Sequence, residues 1–177
     1  LTIFTGKLLE MGAKIRLVEP YAMEVSTDKR LEAMNFITQP YPGFPTDLQA
    51  LAMTLLSTAN GVSVVTESLY ENRFMHISEL WRMGANIRQS KNHAIIKGVD
   101  TLVGTTVQST DLRAGAALVV AAIMAKGESE VKKLHHIDRG YEKFTQKLQG
   151  LGENVQRGPY DAKDYEALDN NEVVHSK

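Results

Sequence analysis

The sequence predicts an α/β (α+β) domain with apolar helices packed inside sheets, and three observations lead there. The first is self-similarity. Leu8-Leu9-Glu10-Met11-Gly12-Ala13-Lys14-Ile15, Leu80-Trp81-Arg82-Met83-Gly84-Ala85-Asn86-Ile87 and Leu148-Gln149-Gly150-Leu151-Gly152-Glu153-Asn154-Val155 share a Leu four positions before a Gly and a β-branched residue three after it. Their glycines recur about 70 positions apart. The second observation is the run over residues 114–125, apolar nearly all round, which a helix tolerates only when it is buried on every side. The third is the pair of β-branched runs at 62–66 and 93–99, which read as strands.

Each element follows from its own residues. Gly12, Gly84 and Gly152 end amphipathic runs, where a left-handed residue closes a helix and the β-branched residue behind it opens a strand. Thr46-Asp47-Leu48-Gln49-Ala50 returns as Thr110-Asp111-Leu112-Arg113-Ala114, and each opens a helix that stops near Gly61 or Gly127. In 46–60 the residues Leu48, Leu51, Ala52, Leu55 and Leu56 form one stripe. Asn72-Arg73 and Asp138-Arg139 begin the helices ending at Gly84 and Gly152, whose stripes are Phe74, Ile77, Trp81 and Tyr141, Phe144, Leu148, Leu151. The chain therefore holds two full units and the tail of an earlier one, each reading helix, strand pair, helix, strand pair. Residues 1–157 are expected to be most of one domain, incomplete at its start. Residues 158–177, with Asp161, Asp164, Glu166, Asp169 and Glu172 and little periodicity, read as an acidic, disordered tail.

Composition narrows function. Twenty Lys and Arg against 21 Asp and Glu leave a net charge of −1 over 177 residues, which argues against coating nucleic acid or an anionic membrane. With no cysteine, disulfides, thiolate zinc sites and a cysteine nucleophile are excluded within this chain. The longest apolar run falls short of the roughly 20 residues of a bilayer span. Lys7, Glu10, Lys14 and Arg16 break any secretory signal pattern, so the expected location is cytoplasmic. The start at Leu1, inside a helical pattern, suggests a piece of a longer protein.

The chemistry-bearing residues gather at helix starts. Asp47, Asp111, Arg73 and Arg139 each fall on or beside one, and side-by-side helices would bring these termini to one end of the domain. Free N–H groups and the positive dipole end there favour anions, and arginines add bidentate donors for carboxylate or phosphate. Aspartates in that setting are candidates to orient or deprotonate a hydroxyl. Plain N-capping is the competing reading of Thr46-Asp47 and Thr110-Asp111, and on residues alone it leads. Arg113, one cation in an otherwise apolar helix, needs a partner. Tyr41-Pro42-Gly43-Phe44-Pro45 reads as a stiff, extended lead-in that would fix Asp47. His76, His135, His136 and His175 show no metal-ligand spacing and read as surface or satisfied core residues; no metal or cofactor is expected.

Taken together, Tyr41-Pro42-Gly43-Phe44-Pro45-Thr46-Asp47-Leu48-Gln49-Ala50, Thr66-Glu67-Ser68-Leu69-Tyr70-Glu71-Asn72-Arg73-Phe74-Met75-His76, Thr110-Asp111-Leu112-Arg113-Ala114 and Asp138-Arg139-Gly140-Tyr141-Glu142 resemble the C-terminal portion of the UDP-N-acetylglucosamine 1-carboxyvinyltransferases, an enolpyruvyl transferase family of peptidoglycan synthesis. The resemblance implies repeated βαβαββ units and transfer of the enolpyruvyl group of phosphoenolpyruvate to the 3′-hydroxyl of UDP-N-acetylglucosamine. It implies that Asp47 holds and deprotonates the sugar hydroxyl and that Thr46, Leu69 and Tyr70 line the UDP-sugar site. It further implies that Arg73, Arg113 and Arg139 gather the anionic groups of phosphoenolpyruvate, with Asp111 near the reacting carbon. Ser68 and Tyr70 stand where that family usually has Thr and Phe. The family's cysteine loop and N-terminal Lys-Asn pair belong to sequence outside this chain, so the missing N-terminal domain is the expected partner and the chain alone is expected to be inactive. Two alternatives stand beside this: a non-catalytic UDP-sugar-binding module, and a fragment of a shikimate-pathway enolpyruvyl transferase, which Phe44-Pro45-Thr46-Asp47 and Glu71-Asn72-Arg73-Phe74 fit less well.

Overall fold

The computed structural model describes residues 2–19 and 22–158; the acidic tail beyond Gly158 lies outside the described residues. One complete unit occupies the middle of the chain. Strand β3 (Phe36–Ile37) leads through a 3₁₀ turn (Thr46–Leu48) into α2 (Gln49–Leu56) and then β4 (Val62–Thr66). Helix α3 (His76–Arg82) and the hairpin β5 (Asn86–Ser90) and β6 (His93–Lys97) complete it. The sheet order is β3-β4-β6-β5, with β3 parallel to β4 and the remaining pairs antiparallel. The unit is thus strand, helix, strand, helix, strand pair. The expectation of a strand pair after the first helix is corrected: one strand, β4, returns there and pairs parallel with β3, which makes α2 the crossover that a parallel pair needs.

Around this unit lie parts of two others. Helix α1 (Thr2–Glu10) and the hairpin β1 (Lys14–Glu19) and β2 (Ala22–Ser26) form the tail of an earlier unit. On the far side, β7 (Thr106–Gln108) passes through α4 (Leu112–Met124) to the parallel β8 (Glu130–Lys132), followed by α5 (His135–Asp138) and α6 (Phe144–Gly150).

The three repeated glycines close three helix ends in the same way. Gly12, Gly84 and Gly152 have φ of 95°, 87° and 95°. The N–H of the residue after each glycine donates to the Leu carbonyl five positions back (Ala13 to Leu8, Ala85 to Leu80, Glu153 to Leu148), while the glycine N–H donates to the carbonyl three back. That double bond pattern satisfies two orphan carbonyls and demands a left-handed residue between them, where a Cβ is penalised.

Helices lie inside and sheets outside. Val65, Ala94 and Ile96 on the inner sheet face are fully buried, with Ile87 and Phe36 nearly so. They pack into one core with Met53 and Leu56 of α2, Ile77 and Leu80 of α3, and Leu118 of α4. Helices α2 and α4 pack on one another, and the Thr54 hydroxyl donates to the Ala117 carbonyl at 3.4 Å. Every residue of α4 is buried or half-buried, as the apolar run requires. Helix α2 is also enclosed, with Gln49, Ala50, Met53 and Thr54 buried beside the expected stripe, so it too is central.

Two helices begin elsewhere than expected. The segment at Asn72-Arg73 is a run of turns, with Asn72 at φ 59°, and α3 starts only at His76. Trp81 is half exposed and its indole N–H donates to the Ile87 carbonyl, so it seals the helix edge instead of filling the core. The expected helix from Asp138 to Gly152 is two short ones, broken where Lys143 takes φ 50°. Asp138 and Arg139 therefore end α5, and the repeat with Asn72-Arg73 does not carry a helix start with it. The 41–45 segment is a tight turn, not extended. Gly43 N–H donates to the Pro40 carbonyl, and Phe44, 3% exposed, stacks on Phe36 at 4.1 Å between ring centroids.

Candidate functional site

Two units each deliver one side chain to the same carboxylate. The 3₁₀ turn at Thr46–Leu48 has no side-chain cap, so the Asp47 carboxylate is not folded back on the backbone and points outward. Arg113, in the first turn of α4, reaches across the helix pair and donates from Nε to Asp47 Oδ1 at 2.5 Å. Arg73 Nη1 lies 3.5 Å from the same oxygen. The lone cation of the apolar helix is therefore partly exposed, and it finds its partner 66 residues away in sequence. Capping is excluded for Asp47 and holds for Asp111. Asp111 is the N-cap of α4, its Oδ1 accepting from the N–H groups of Arg113 at 2.8 Å and Ala114 at 3.0 Å.

A second surface adjoins the first. Arg73 stacks over the Tyr70 ring, 4.3 Å from its centroid, and donates to Thr46 Oγ1 at 2.5 Å. Leu69 and Tyr70, both exposed, stand on a crevice with Glu67, Ser68, Asn72 and Lys91. Of the expected residues, Thr46, Asp47, Leu69, Tyr70, Arg73 and Arg113 come together, with Asp111 at the neighbouring helix start. Arg139 stands apart: it is exposed, and its side chain forms no hydrogen bond or ion pair among the described residues.

Glu67 is the residue that motif reading quoted without a role. It is 2% exposed, and its carboxylate accepts hydrogen bonds from Thr38, Thr46, Leu69 and Tyr70. A buried acid immediately after a β-branched strand was the available signal, since such a charge requires several donors. His76 also departs from expectation. It is buried, and its Nε2 has no hydrogen-bond partner among the described residues. Burial pushes its pKa down to about 4, with the charge of Asp111 acting the other way. His136, whose ring lies tilted against His135 at 4.0 Å between centroids, is also lowered, by burial first and then by His135 and Arg139. No group of three metal-ligating side chains occurs among the described residues.

The inside-out α/β repeat is the fold shared by solved enolpyruvyl transferases. The family model for EPSP synthase (3-phosphoshikimate 1-carboxyvinyltransferase) matches residues 1–148, and the chain belongs to that family. Within it, the chain is similar to UDP-N-acetylglucosamine 1-carboxyvinyltransferase 2 of Carboxydothermus hydrogenoformans, at 52% identity over 89% of this chain and 38% of that protein. It is 48% identical to the UDP-N-acetylglucosamine 1-carboxyvinyltransferase of Gloeobacter violaceus over 86% of this chain and 33% of that one. Among solved structures, the enolpyruvyl transferase NikO from Streptomyces tendae matches with a TM-score of 0.81 and 25% identity, over 91% of this chain and 37% of that chain. EPSP synthase from Acinetobacter baumannii, at 17% identity and a TM-score of 0.62, shares the fold. The chain spans about a third of the length of the curated relatives it matches.

Proposed function

We propose that this chain forms part of an enolpyruvyl transferase that moves the enolpyruvyl group of phosphoenolpyruvate to the 3′-hydroxyl of UDP-N-acetylglucosamine, the cytoplasmic first committed step of peptidoglycan synthesis. The observation that carries the reading is the Asp47 carboxylate held by Arg113 and flanked by Arg73 on a half-open surface. In the reaction a bond forms between the sugar oxygen and C2 of phosphoenolpyruvate, the bond from C2 to the phosphate oxygen breaks, and phosphate leaves. Asp47 orients the hydroxyl and accepts its proton; Arg73 and Arg113 hold carboxylate and phosphate by charge-assisted bonds. Thr46, Leu69 and Tyr70 line the sugar-nucleotide side, Asp111 stands near the reacting carbon, and Arg139, at the end of α5, is the third arginine assigned to the anion. The remainder of the relatives' length supplies the other half of the active site.

The test is phosphate release from phosphoenolpyruvate, measured with and without UDP-N-acetylglucosamine, in the intact polypeptide and in residues 1–177 alone. Sugar-dependent release by the intact polypeptide, with none from residues 1–177, is the expected result. Tight UDP-sugar binding without any release by the intact polypeptide would establish a binding module instead.

A further inference from the structure

Glu67 joins the two surfaces of the site through different oxygens. Its Oε1 accepts from the Thr38 hydroxyl at 2.7 Å and from the N–H groups of Leu69 and Tyr70 at 3.0 and 3.2 Å. Its Oε2 accepts from the Thr46 hydroxyl at 2.8 Å. A threonine hydroxyl has one proton. With that proton given to Glu67, only lone pairs face Arg73, whose Nη1 donates to Thr46 Oγ1 at 2.5 Å. The guanidinium is held there beside Asp47 and over Tyr70. A carboxylate is needed for this, because four donors converge on it and it offers no proton of its own.

We propose that Glu67 is a positioning residue with two separable tasks. Oε1 shapes the 69–70 backbone on the sugar-nucleotide side, and Oε2 polarises Thr46 so that it holds Arg73 on the anion side. What the two sides bind rests on the function proposed above.

The substitution Glu67→Gln separates the tasks. Its amide oxygen must take the Oε1 place, where three donors point, and this puts the NH₂ group against Thr46. That group now donates to Thr46 Oγ1, competes with Arg73 for its lone pairs and turns the hydroxyl proton outward. In the intact polypeptide we expect E67Q to weaken phosphoenolpyruvate, read as KM, and inorganic phosphate, read as Kd, by roughly tenfold. The Kd for UDP-N-acetylglucosamine should rise clearly less, by about two- to threefold, because Thr46 also lines that side while the Leu69 and Tyr70 backbone keeps its acceptor. T46V should reproduce the anion defect, and E67Q with T46V should be no worse than T46V alone, as coupled residues require. E67A should weaken both ligands.

Equal losses of both ligands in E67Q, no loss of either, or additive effects in the double variant would overturn the proposal. Should E67Q fail to fold, T46V decides: retained anion affinity there overturns it. Because the binding arms are independent of turnover, a wild type that binds both ligands but releases no phosphate defeats the enzymatic reading while the E67Q split still supports Glu67. A wild type that binds neither defeats both.

Discussion

Replacing Asp47 by Asn in the intact polypeptide separates the site from the fold. The structure sets the stability side of the ledger. Asp47 caps no helix and has 64% of its side chain exposed, so its pairs with Arg113 and Arg73 are solvent-screened. Exposed pairs of this kind contribute about 0.2–1 kcal/mol each, and Asn retains one oxygen able to accept from Arg113. A loss of about 1 kcal/mol, or roughly 2–4 °C in Tm, is the expected outcome. The chemical side is larger. Removing a positioned base typically slows turnover by about 10²–10⁴, and a thousandfold corresponds to about 4 kcal/mol of barrier. The two effects differ several-fold and can be read apart. The assay is sugar-dependent phosphate release beside a thermal melt of the same sample, with UDP-N-acetylglucosamine affinity as the control. Near-normal turnover, or a turnover loss accompanied by a Tm fall above about 10 °C, would refute the reasoning.

Three further outcomes follow from other positions. His76 has a folded pKa of about 4 against an ordinary 6.5, so between those values the unfolded chain binds the extra proton and stability falls as pH drops from 6.5 to 4, by up to about 3 kcal/mol. His76→Gln should flatten part of that slope in melts across pH 4–7, leaving the share of His136, which is lowered too; an unchanged slope would contradict the burial argument. Asp111→Ala should destabilise by about 1 kcal/mol while Asp111→Asn, itself a good cap, holds stability, as chemical denaturation would register. Gly98→Ala should destabilise by about 3 kcal/mol or more, because its Cβ would fall 1.6 Å from the Ala59 carbonyl oxygen, and a soluble, normally melting variant would contradict this.

Much of the fold was legible because the repeat is written in residues with strict backbone demands. Leu-x-x-x-Gly fixes a helix end wherever it occurs, and each of Gly12, Gly84 and Gly152 obeys it. Helix starts were less legible. Asn72-Arg73 and Asp138-Arg139 match as dipeptides, yet one lies in turns and the other ends a helix, since capping depends on φ and ψ that a dipeptide does not determine. Trp81 was placed in the core by periodicity, but an indole whose N–H needs an acceptor settles at an edge where a strand carbonyl is free. At the site, motifs named Thr46, Asp47, Leu69, Tyr70, Arg73 and Arg113, which the fold brings together, and Arg139, which it leaves apart; the pairing of Asp47 with Arg113 and the hub at Glu67 join segments far apart in sequence and needed the fold to become visible.

The two units also show how a duplicated motif divides its labour. Thr46-Asp47-Leu48-Gln49-Ala50 and Thr110-Asp111-Leu112-Arg113-Ala114 begin from the same pattern and end in different chemistry. In the second copy the aspartate takes extended backbone, φ −162° and ψ 176°, and spends its carboxylate on two amides of α4. In the first copy a 3₁₀ turn replaces the cap, so the carboxylate is released from the backbone and is free to meet cations. The fourth position diverges in step. Gln49 turns inward, fully buried with its amide lacking a hydrogen-bond partner among the described residues. Arg113 turns outward and crosses to Asp47. Had both copies kept the cap, neither aspartate would be free to meet Arg113; had both used the 3₁₀ turn, α4 would have lost its N-terminal cap. The asymmetry lets one aspartate anchor the helix that carries Arg113 while the other stands at the end of its reach, and it is at these diverged positions that the repeat brings opposite charges together.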